Sequence, residues 1–361
     1  MSNTSTTTEG EGATTGDEDG EVVLEARGLK KHYATGGSVL DSLLGRSGGA
    51  VHAVDGVSFA IQGTETLGLV GESGCGKSTL ARTLARLESP AAGEVYFRGE
   101  NITEKSERSL RSYRSEIQFI HQDPSSSLNP RKTVQQILSR PLELHTDLST
   151  DEQIERIEEL LKRVGLDPRQ RQRYPHAFSG GQRQRIEIAR ALSLNPSVVI
   201  ADEPTSALDV TVQAQILQLL EKLQTEFELS MLFISHDLRT IRYVADRVSV
   251  MYLGEMVETG TTDEIFDNAR HPYTQSLLSS MPSIESHQSR SVSLRGEPTD
   301  PIDPPSGCRF HTRCPVAQEV CSTEPTVEHS ISDTHSHRCH FSDANISEET
   351  ASVRASHENG T

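Results

Sequence analysis

The residues best suited to chemistry lie between positions 67 and 87, where a short apolar run ends in a glycine-rich loop and the loop opens a helix. Glycines in such a loop let backbone N–H groups turn toward phosphate oxygens, and the helix N-terminus adds positive potential. Lys77 supplies a full positive charge, and the Ser78 hydroxyl is suitably placed for Mg²⁺. An ordinary glycine-rich surface turn would not need this Lys-Ser pair. The pattern predicts a nucleotide-binding loop made of Gly71, Glu72, Ser73, Gly74, Cys75, Gly76, Lys77, Ser78 and Thr79.

A second candidate site is the segment VVIADE, residues 198–203, in which four apolar residues precede two acids. It predicts a buried strand that delivers Asp202 to the Mg²⁺ shell. Glu203 would then be the base for a water molecule that attacks the γ-phosphate. An acidic pair at a strand end can also cap a helix. The glycine-rich loop favours the catalytic interpretation.

Polar residues also follow two other predicted strands. Gln122 ends the strand IQFIHQ, and His236 lies at the tip of MLFISHDL. A single histidine at a strand end is more often structural, but the carboxyl ends of strands in an α/β sheet collect ligand contacts. Tyr33, which closes the first strand-like segment, could stack on an adenine ring or simply cover the sheet edge.

A second predicted anion site is Ser179-Gly180-Gly181-Gln182, which opens a helix and presents a hydroxyl and free N–H groups. An ordinary N-cap explains a Ser-Gly pair equally well. Further along, Val210, Ile216, Leu217, Leu220 and Leu223 predict one apolar helix face.

The composition limits the possible functions. The chain carries 52 acids against 35 bases, a formal charge of −17, so the basic field needed for nucleic-acid binding is missing. An acidic, lysine-poor surface suits a high-salt cytoplasm and indicates a halophile. No apolar run is long enough to span a membrane, and the first residues do not resemble a secretory signal, so we expect a cytoplasmic protein.

We expect four regions along the chain. Residues 1–20 and 343–361 are predicted disordered tails, the first of them acidic, because they contain few apolar residues. Residues 21–262 form the nucleotide-binding domain, interrupted by a glycine- and serine-rich insertion at 36–49 and containing a helical subdomain at about 125–190. Either Ser149 or Thr150 would cap its second helix. Residues 263–342 form a C-terminal extension with four cysteines.

Taken in order, these motifs resemble those of the nucleotide-binding subunits of ATP-binding cassette (ABC) transporters over residues 22–260. The resemblance implies an α/β fold: a P-loop NTPase with a RecA-like core, an antiparallel β subdomain and a helical subdomain. It also implies ATP and Mg²⁺ as ligands. Ser78, Gln122 and Asp202 would bind the metal, Glu203 would polarise the attacking water, and His236 would contact the γ-phosphate. Tyr33 matches the adenine-stacking aromatic residue.

By the same resemblance, Ser179, Gly180, Gly181 and Gln182 form the signature that binds the γ-phosphate of ATP held by an opposing subunit. Ser206 to Asp209 match the loop that communicates between the paired subunits. Two chains would therefore enclose two nucleotides. Phe178 stands where the broader family usually has Leu, and this substitution preserves apolar packing.

The segments HPYTQSLLSSMPS (271–283) and LRGEPTDPIDPPSGCRFHTRCP (294–315) are similar to the C-terminal extension of dipeptide and oligopeptide importer ATPases. This subgroup, which includes nickel importers, implies a heterodimer with a second homologous ATPase subunit, of which this chain resembles the F-type member. It also implies two membrane permease subunits, an extracytoplasmic binding protein, and a location on the cytoplasmic face of the membrane.

Four cysteines of the extension are candidate metal ligands: Cys308, Cys314, Cys321 and Cys339. A cytosolic chain argues against disulfides, and the Cys-x-x-Cys pairs usual in zinc sites are absent. The resemblance implies a [4Fe–4S] cluster, with Zn²⁺ as the alternative, and His311, His337 and His340 could substitute or assist.

Other functions remain open at this point. A soluble cassette ATPase acting on ribosomes or DNA would usually carry two cassettes or a long coiled-coil insertion, and neither is present. A purely structural iron–sulfur or zinc scaffold would not require Glu203 and His236. Nickel or a sugar could replace peptides as cargo, because the ATPase subunit does not contact it.

Overall fold

Two β-sheets, one antiparallel and one largely parallel, form the framework of the protein. The computed structural model describes residues 21–34, 49–281, 302 and 304–341. The tails predicted at 1–20 and 343–361, and nearly all of the insertion predicted at 36–49, lie outside these residues. The strands are β1 Val22–Ala34, β2 Ala50–Gln62, β3 Thr66–Val70, β4 Ala92–Phe97, β5 Glu100–Asn101, β6 Ile117–Ile120, β7 Val198–Asp202, β8 Ser230–Ile234, β9 Arg247–Tyr252, β10 Glu255–Thr261, β11 Glu328–Ser330 and β12 Ser336–Arg338.

Helices cover and interrupt these sheets. They are α1 Lys77–Leu84, α2 Leu110–Glu116, α3 Pro124–Ser127, α4 Val134–His145, α5 Thr150–Arg163, α6 Gly180–Ala191, α7 Val210–Phe227, α8 Leu238–Val244, α9 Thr262–Asn268, α10 Pro272–Ser279 and α11 Glu319–Thr323. Among the described residues, no helix combines the length and apolar character needed to cross a bilayer.

The smaller sheet is antiparallel, with the order β2-β1-β4-β5, and the larger has the order β11-β12-β10-β9-β3-β8-β7-β6. Strands β9, β3, β8, β7 and β6 of the larger sheet are parallel. Every residue of β3, β7 and β8 is buried, as expected for parallel strands covered on both faces. The predicted α/β core with an antiparallel sheet is confirmed.

Parallel register brings the predicted site residues to one edge of the larger sheet. Asp202 at the end of β7 pairs with Ile234 at the end of β8, and Leu69 of β3 also pairs with Ile234. The segments that follow β3, β6, β7 and β8 therefore emerge beside one another. This edge carries the glycine-rich loop, Gln122, Glu203 and His236.

The helical region begins directly after β6 and is tied to it by one buried carboxylate. Glu187 of α6 is fully buried and accepts hydrogen bonds from Arg190 (2.6 Å) and from the Ser127 hydroxyl of α3 (2.8 Å). Its Oε1 also lies 2.8 Å from Nδ1 of His121, the residue before Gln122. This network orients the loop after β6 relative to the helices. Ser149 is the N-cap of α5 and forms a capping box with Glu152.

The apolar face predicted for α7 is correct at four of its five positions. Ile216, Leu217, Leu220 and Leu223 are buried, whereas Val210 is 83% exposed. Val210 is the first residue of α7, and the first buried residue of this helix is Ile216. Its inclusion in the apolar face was therefore wrong.

The C-terminal extension shares the sheet and the core of the nucleotide-binding region. Strand β12 pairs with β10 through Glu258 and His337, and β11 pairs with β12. Tyr273 and Phe310 are fully buried in the same apolar cluster as Val250. Residues 304–341 are therefore built onto the edge of the larger sheet that is opposite β6.

Candidate functional site

The glycine-rich loop between β3 and α1 has room only for glycine at two positions. A Cβ atom on Gly71 would overlap the carbonyl oxygen of Met251, and one on Gly76 would overlap that of Ala53. Gly76 also has φ 111°, a conformation that residues with a side chain rarely adopt. The loop is thus packed tightly against the neighbouring strands.

The side chain of Lys77 folds back onto the first residues of the loop. Its buried ammonium group donates to the carbonyl oxygens of Gly71 (2.8 Å) and Glu72 (2.9 Å). Cys75 is buried beneath it in the apolar core, and burial raises the pKa of its thiol. Cys75 therefore fills apolar space beneath the loop.

Asp202 and Ser78 form the centre of the predicted metal site. The Ser78 hydroxyl donates to the carboxylate of Asp202 at 3.0 Å. Burial is the main cause that raises the pKa of Asp202, and the adjacent charge of Glu203 raises it further. A cation at this point would compensate a poorly solvated carboxylate. The hydroxyl, the carboxylate and the amide oxygen of Gln122 are the hard oxygen ligands that Mg²⁺ prefers, so these residues fit the metal.

Glu203 is contacted by both of the other predicted catalytic residues. The Gln122 amide donates to its Oε2 at 3.1 Å, and Nδ1 of His236 lies 3.2 Å from the same oxygen. Glu203 has φ 47°, in the left-handed region that only a minority of non-glycine residues adopt. Its N–H donates to the carbonyl of Ile234 at 3.0 Å, which holds this conformation. Strained backbone of this kind concentrates at functional sites.

Most of the predicted residues line one cleft of about 760 Å³, whereas Gly71, Glu72, Cys75 and Asp202 are not among its lining residues. Tyr33 lies at its mouth, where its hydroxyl donates to Glu88, and burial raises the pKa of that hydroxyl. Asp123 also lines the cleft and was not predicted as a site residue, although it directly follows Gln122. The predicted residues that line the cleft are Tyr33, Ser73, Gly74, Gly76, Lys77, Ser78, Thr79, Gln122, Glu203 and His236.

The signature segment lies elsewhere. Ser179 is the N-cap of α6 and forms a capping box with Gln182. A Cβ atom on Gly181 would overlap a methyl group of Val212, so α6 packs closely against α7 at this point. Asp209 caps α7 by accepting from the Val212 N–H at 2.9 Å. Of the described residues that line the cleft, none belongs to Ser179-Gly180-Gly181-Gln182.

The four cysteines of the extension line a second, much smaller pocket, of about 10 Å³. Burial, together with the smaller effect of the neighbouring cysteines, raises the pKa of Cys308 and Cys314 to about 12. Burial also raises the pKa of Cys339. Within the described part of the chain, no three of the four sulfur atoms lie within 4.8 Å of one another.

Histidines occupy different positions around this pocket. His311 and His340 line it, as expected for groups that assist a metal site. His337 does not line it; its ring lies 5.4 Å from that of His329 on the neighbouring strand. His337 is therefore outside the lining of the cysteine pocket, and its assistance to a metal site stays a prediction.

Comparison with known proteins identifies the family. The family model described as "ABC transporter" matches residues 54–206, and that described as "Oligopeptide/dipeptide transporter, C-terminal region" matches residues 257–321. The chain is 51% identical to the oligopeptide transport ATP-binding protein AppF of Bacillus subtilis, over 89% of this chain and 98% of AppF. It is 49% identical to the dipeptide transport ATP-binding protein DppF of Escherichia coli, over 81% of this chain and 87% of DppF.

Solved structures agree with this assignment. The ATP-binding cassette MJ0796, a dimer bound to ADP and Pi, matches with a TM-score of 0.58 and 30% identity, covering 66% of this chain and 98% of MJ0796. CbiO1 of Clostridium perfringens, part of an ABC transporter complex, matches with the same TM-score and 29% identity, over 70% of this chain and 92% of CbiO1. The chain therefore belongs to the family of ABC transporter ATPases, among the ATP-binding subunits of oligopeptide and dipeptide transporters.

Proposed function

We propose that this chain hydrolyses ATP to drive peptide uptake, and that Glu203, His236 and Gln122 carry out the hydrolytic step. The observation that carries the assignment of these roles is the convergence of Gln122 and His236 on one carboxylate oxygen of Glu203. The Ser78–Asp202 pair lines the same edge of the sheet. A peptide as cargo is supported by the two relatives named above.

Each residue of the cleft has a distinct proposed role. Lys77 exchanges its two carbonyl contacts for phosphate oxygens, and the N–H groups of the loop bind the β- and γ-phosphates. Ser78, Asp202 and Gln122 would hold Mg²⁺, which neutralises phosphate charge. Glu203 accepts a proton from the attacking water, while Gln122 and His236 orient its carboxylate. Tyr33 at the mouth stacks on the adenine ring.

We propose that Glu203→Gln lowers kcat for ATP hydrolysis by at least about 100-fold while ATP still binds, because the amide cannot accept the proton. Steady-state hydrolysis and equilibrium ATP binding by the assembled ATPase pair measure the two effects. The matched control is Glu94→Gln, a surface carboxylate that contacts Tyr96 and Asn101. Unchanged turnover in Glu203→Gln would show that the base is another group.

A second chain is proposed to complete the ATP site through its signature segment. Ser179, Gly180, Gly181 and Gln182 are separate from the cleft of their own chain, which supports this arrangement. Asp209 and the exposed Val210 provide a polar and an apolar surface at the start of α7 for such a contact. The partner is a second, homologous ATPase subunit, and two permease subunits hold the pair at the cytoplasmic face of the membrane. The extracytoplasmic binding protein acts through those permeases.

Within the ATPase pair we assign this chain as the F-type member. The names AppF, DppF and OppF recur among its relatives at 44–51% identity, which supports this assignment. The proposed division of the chain remains a nucleotide-binding domain at 21–262 and a cysteine-containing extension at 263–342.

The excess of acids, 52 against 35 bases, supports operation in a high-salt cytoplasm. Salt screens the repulsion among these charges. The urea concentration at the midpoint of unfolding should therefore rise when KCl increases from about 0.2 M to about 2 M. A midpoint that stays constant or falls would contradict the halophile assignment.

A [4Fe–4S] cluster is proposed for the cysteine pocket, in preference to Zn²⁺. Thiolates on one tetrahedral zinc ion lie about 3.8 Å apart, given Zn–S bonds of about 2.3 Å. No three of the four sulfurs, all of which belong to described residues, lie mutually within 4.8 Å, so at least one pair in any three is farther apart than one zinc ion places its ligands, which supports a cluster. The raised pKa values of Cys308 and Cys314 mean that either metal must displace protons on binding.

Metal analysis of protein purified without oxygen tests this assignment. We expect about four iron atoms per chain and broad visible absorption. Cys314→Ser should lose most of the iron, whereas Cys75→Ala, which changes the one cysteine outside the pocket, should keep it. One zinc per chain without visible absorption would establish the alternative.

A further inference from the structure

Two residues of the C-terminal extension reach the glycine-rich loop directly. Arg313 makes a bidentate ion pair with Glu72, with Nη1 donating to Oε2 at 2.7 Å and Nη2 donating to Oε1 at 2.9 Å. Arg313 is only 6% exposed. Bidentate pairs between arginine and carboxylate fix orientation as well as distance, and removal from water strengthens them. The contact joins residues 241 positions apart in the chain.

Tyr273 holds Glu72 through the backbone of Glu72. Its hydroxyl accepts a hydrogen bond from the Glu72 N–H at 2.9 Å. The Tyr273 side chain is fully buried, and its ring packs against those of Tyr252 and Phe310, at centroid distances of 4.5 Å and 5.4 Å. The position of this hydroxyl is therefore fixed by the core.

All three polar groups of Glu72 are thus occupied. The carbonyl oxygen accepts from Lys77 at 2.9 Å, a contact that Lys77 gives up when it turns to the phosphates. Arg313 on the carboxylate and Tyr273 on the N–H are the two anchors that remain. Glu72 is followed by Ser73 and by a glycine with φ 80°, a segment with little stiffness of its own. Without these anchors the loop would have to be ordered when a nucleotide binds, which lowers affinity.

We infer that Arg313 is a positioning residue for ATP binding, acting through Glu72 and together with Tyr273 to hold the loop in its phosphate-binding shape. This inference rests on the proposed ATPase function. It gives the extension a direct role in the ATP site, separate from any role of the cysteine pocket.

A neighbouring arginine, Arg309, also holds the extension in place but does not contact the glycine-rich loop, so the two arginines can be compared. Arg309, in the same segment and equally buried, pairs with Asp55 at 2.5 Å and with Glu255 at 3.0 Å, and it donates to the carbonyl of Leu253. None of these three partners belongs to the glycine-rich loop. Arg309 therefore docks the extension on β2, β10 and the turn before β10, whereas Arg313 contacts the loop.

The test measures equilibrium binding of ATP to the purified full-length chain. Arg313→Gln should raise Kd about tenfold, the size expected for loss of a charge-assisted hydrogen bond. Arg309→Gln should change Kd by less than about twofold, although both substitutions lower thermal stability. In the assembled pair, Arg313→Gln should raise KM for ATP more than it lowers kcat, because the arginine does not contact the reacting atoms.

Glu72→Gln provides an independent measurement if Arg313→Gln folds poorly. It should raise Kd as much as Arg313→Gln, and the double variant should be no weaker than either single one, because all three lose the same contact. Arg313→Lys should recover part of the affinity. Wild-type affinity in both Arg313→Gln and Glu72→Gln, or an equal loss in Arg309→Gln, would overturn the inference. Failure of the unaltered chain to bind ATP would instead overturn the proposed function.

Discussion

The close approach of the glycine-rich loop to two strand carbonyl groups is the constraint on which the rest of the site depends. Gly71 lies against the carbonyl of Met251, and Gly76 lies against that of Ala53, so no side chain can be added at either position without moving a strand. One strand belongs to each sheet. The loop is therefore located by the packing of the two sheets together.

Given that location, the parallel register of the larger sheet supplies the remaining groups. Strands β7 and β8 end level with each other at Asp202 and Ile234, so Glu203 and His236 emerge together. Burial of Asp202 raises its pKa and makes its carboxylate a favourable place for a cation. The unusual φ of Glu203 turns its side chain toward Gln122 and His236. Backbone strain at this residue is offset by the hydrogen bond from its N–H to β8.

The sequence predicted the cleft well because its residues lie in short motifs at strand ends. The glycine-rich loop, VVIADE and the tip residues Gln122 and His236 each carry a local pattern, and a parallel sheet brings such ends together. Local pattern also identified the N-cap Ser179 and limited the cap of α5 to Ser149 or Thr150, of which the structure has Ser149. The wrong placement of Val210 has a physical reason. Helical periodicity identifies the residues that share one face of a helix, but it does not show which of them the rest of the protein buries.

Contacts over long sequence separation could not be predicted. Tyr273 and Arg313 contact Glu72 although they lie 201 and 241 residues away in the chain. Neither segment has a sequence pattern that identifies the residue it contacts. The addition of β11 and β12 to the larger sheet is equally non-local. A short polar strand such as Ser336–Arg338 gives almost no periodic signal, so only the assembled sheet reveals it.

The central claim is that each ATP site is finished by the signature segment of a second chain. Comparing Ser179→Arg with Ser149→Arg tests it most directly, because both residues are helix N-caps that form capping boxes, and only Ser179 is proposed to bind nucleotide. The isolated chain carrying Ser179→Arg should bind ATP with the same affinity as Ser149→Arg, while the assembled ATPase pair loses hydrolysis only with Ser179→Arg. Loss of ATP affinity in the isolated Ser179→Arg chain, or full hydrolysis by the pair that contains it, would contradict the claim.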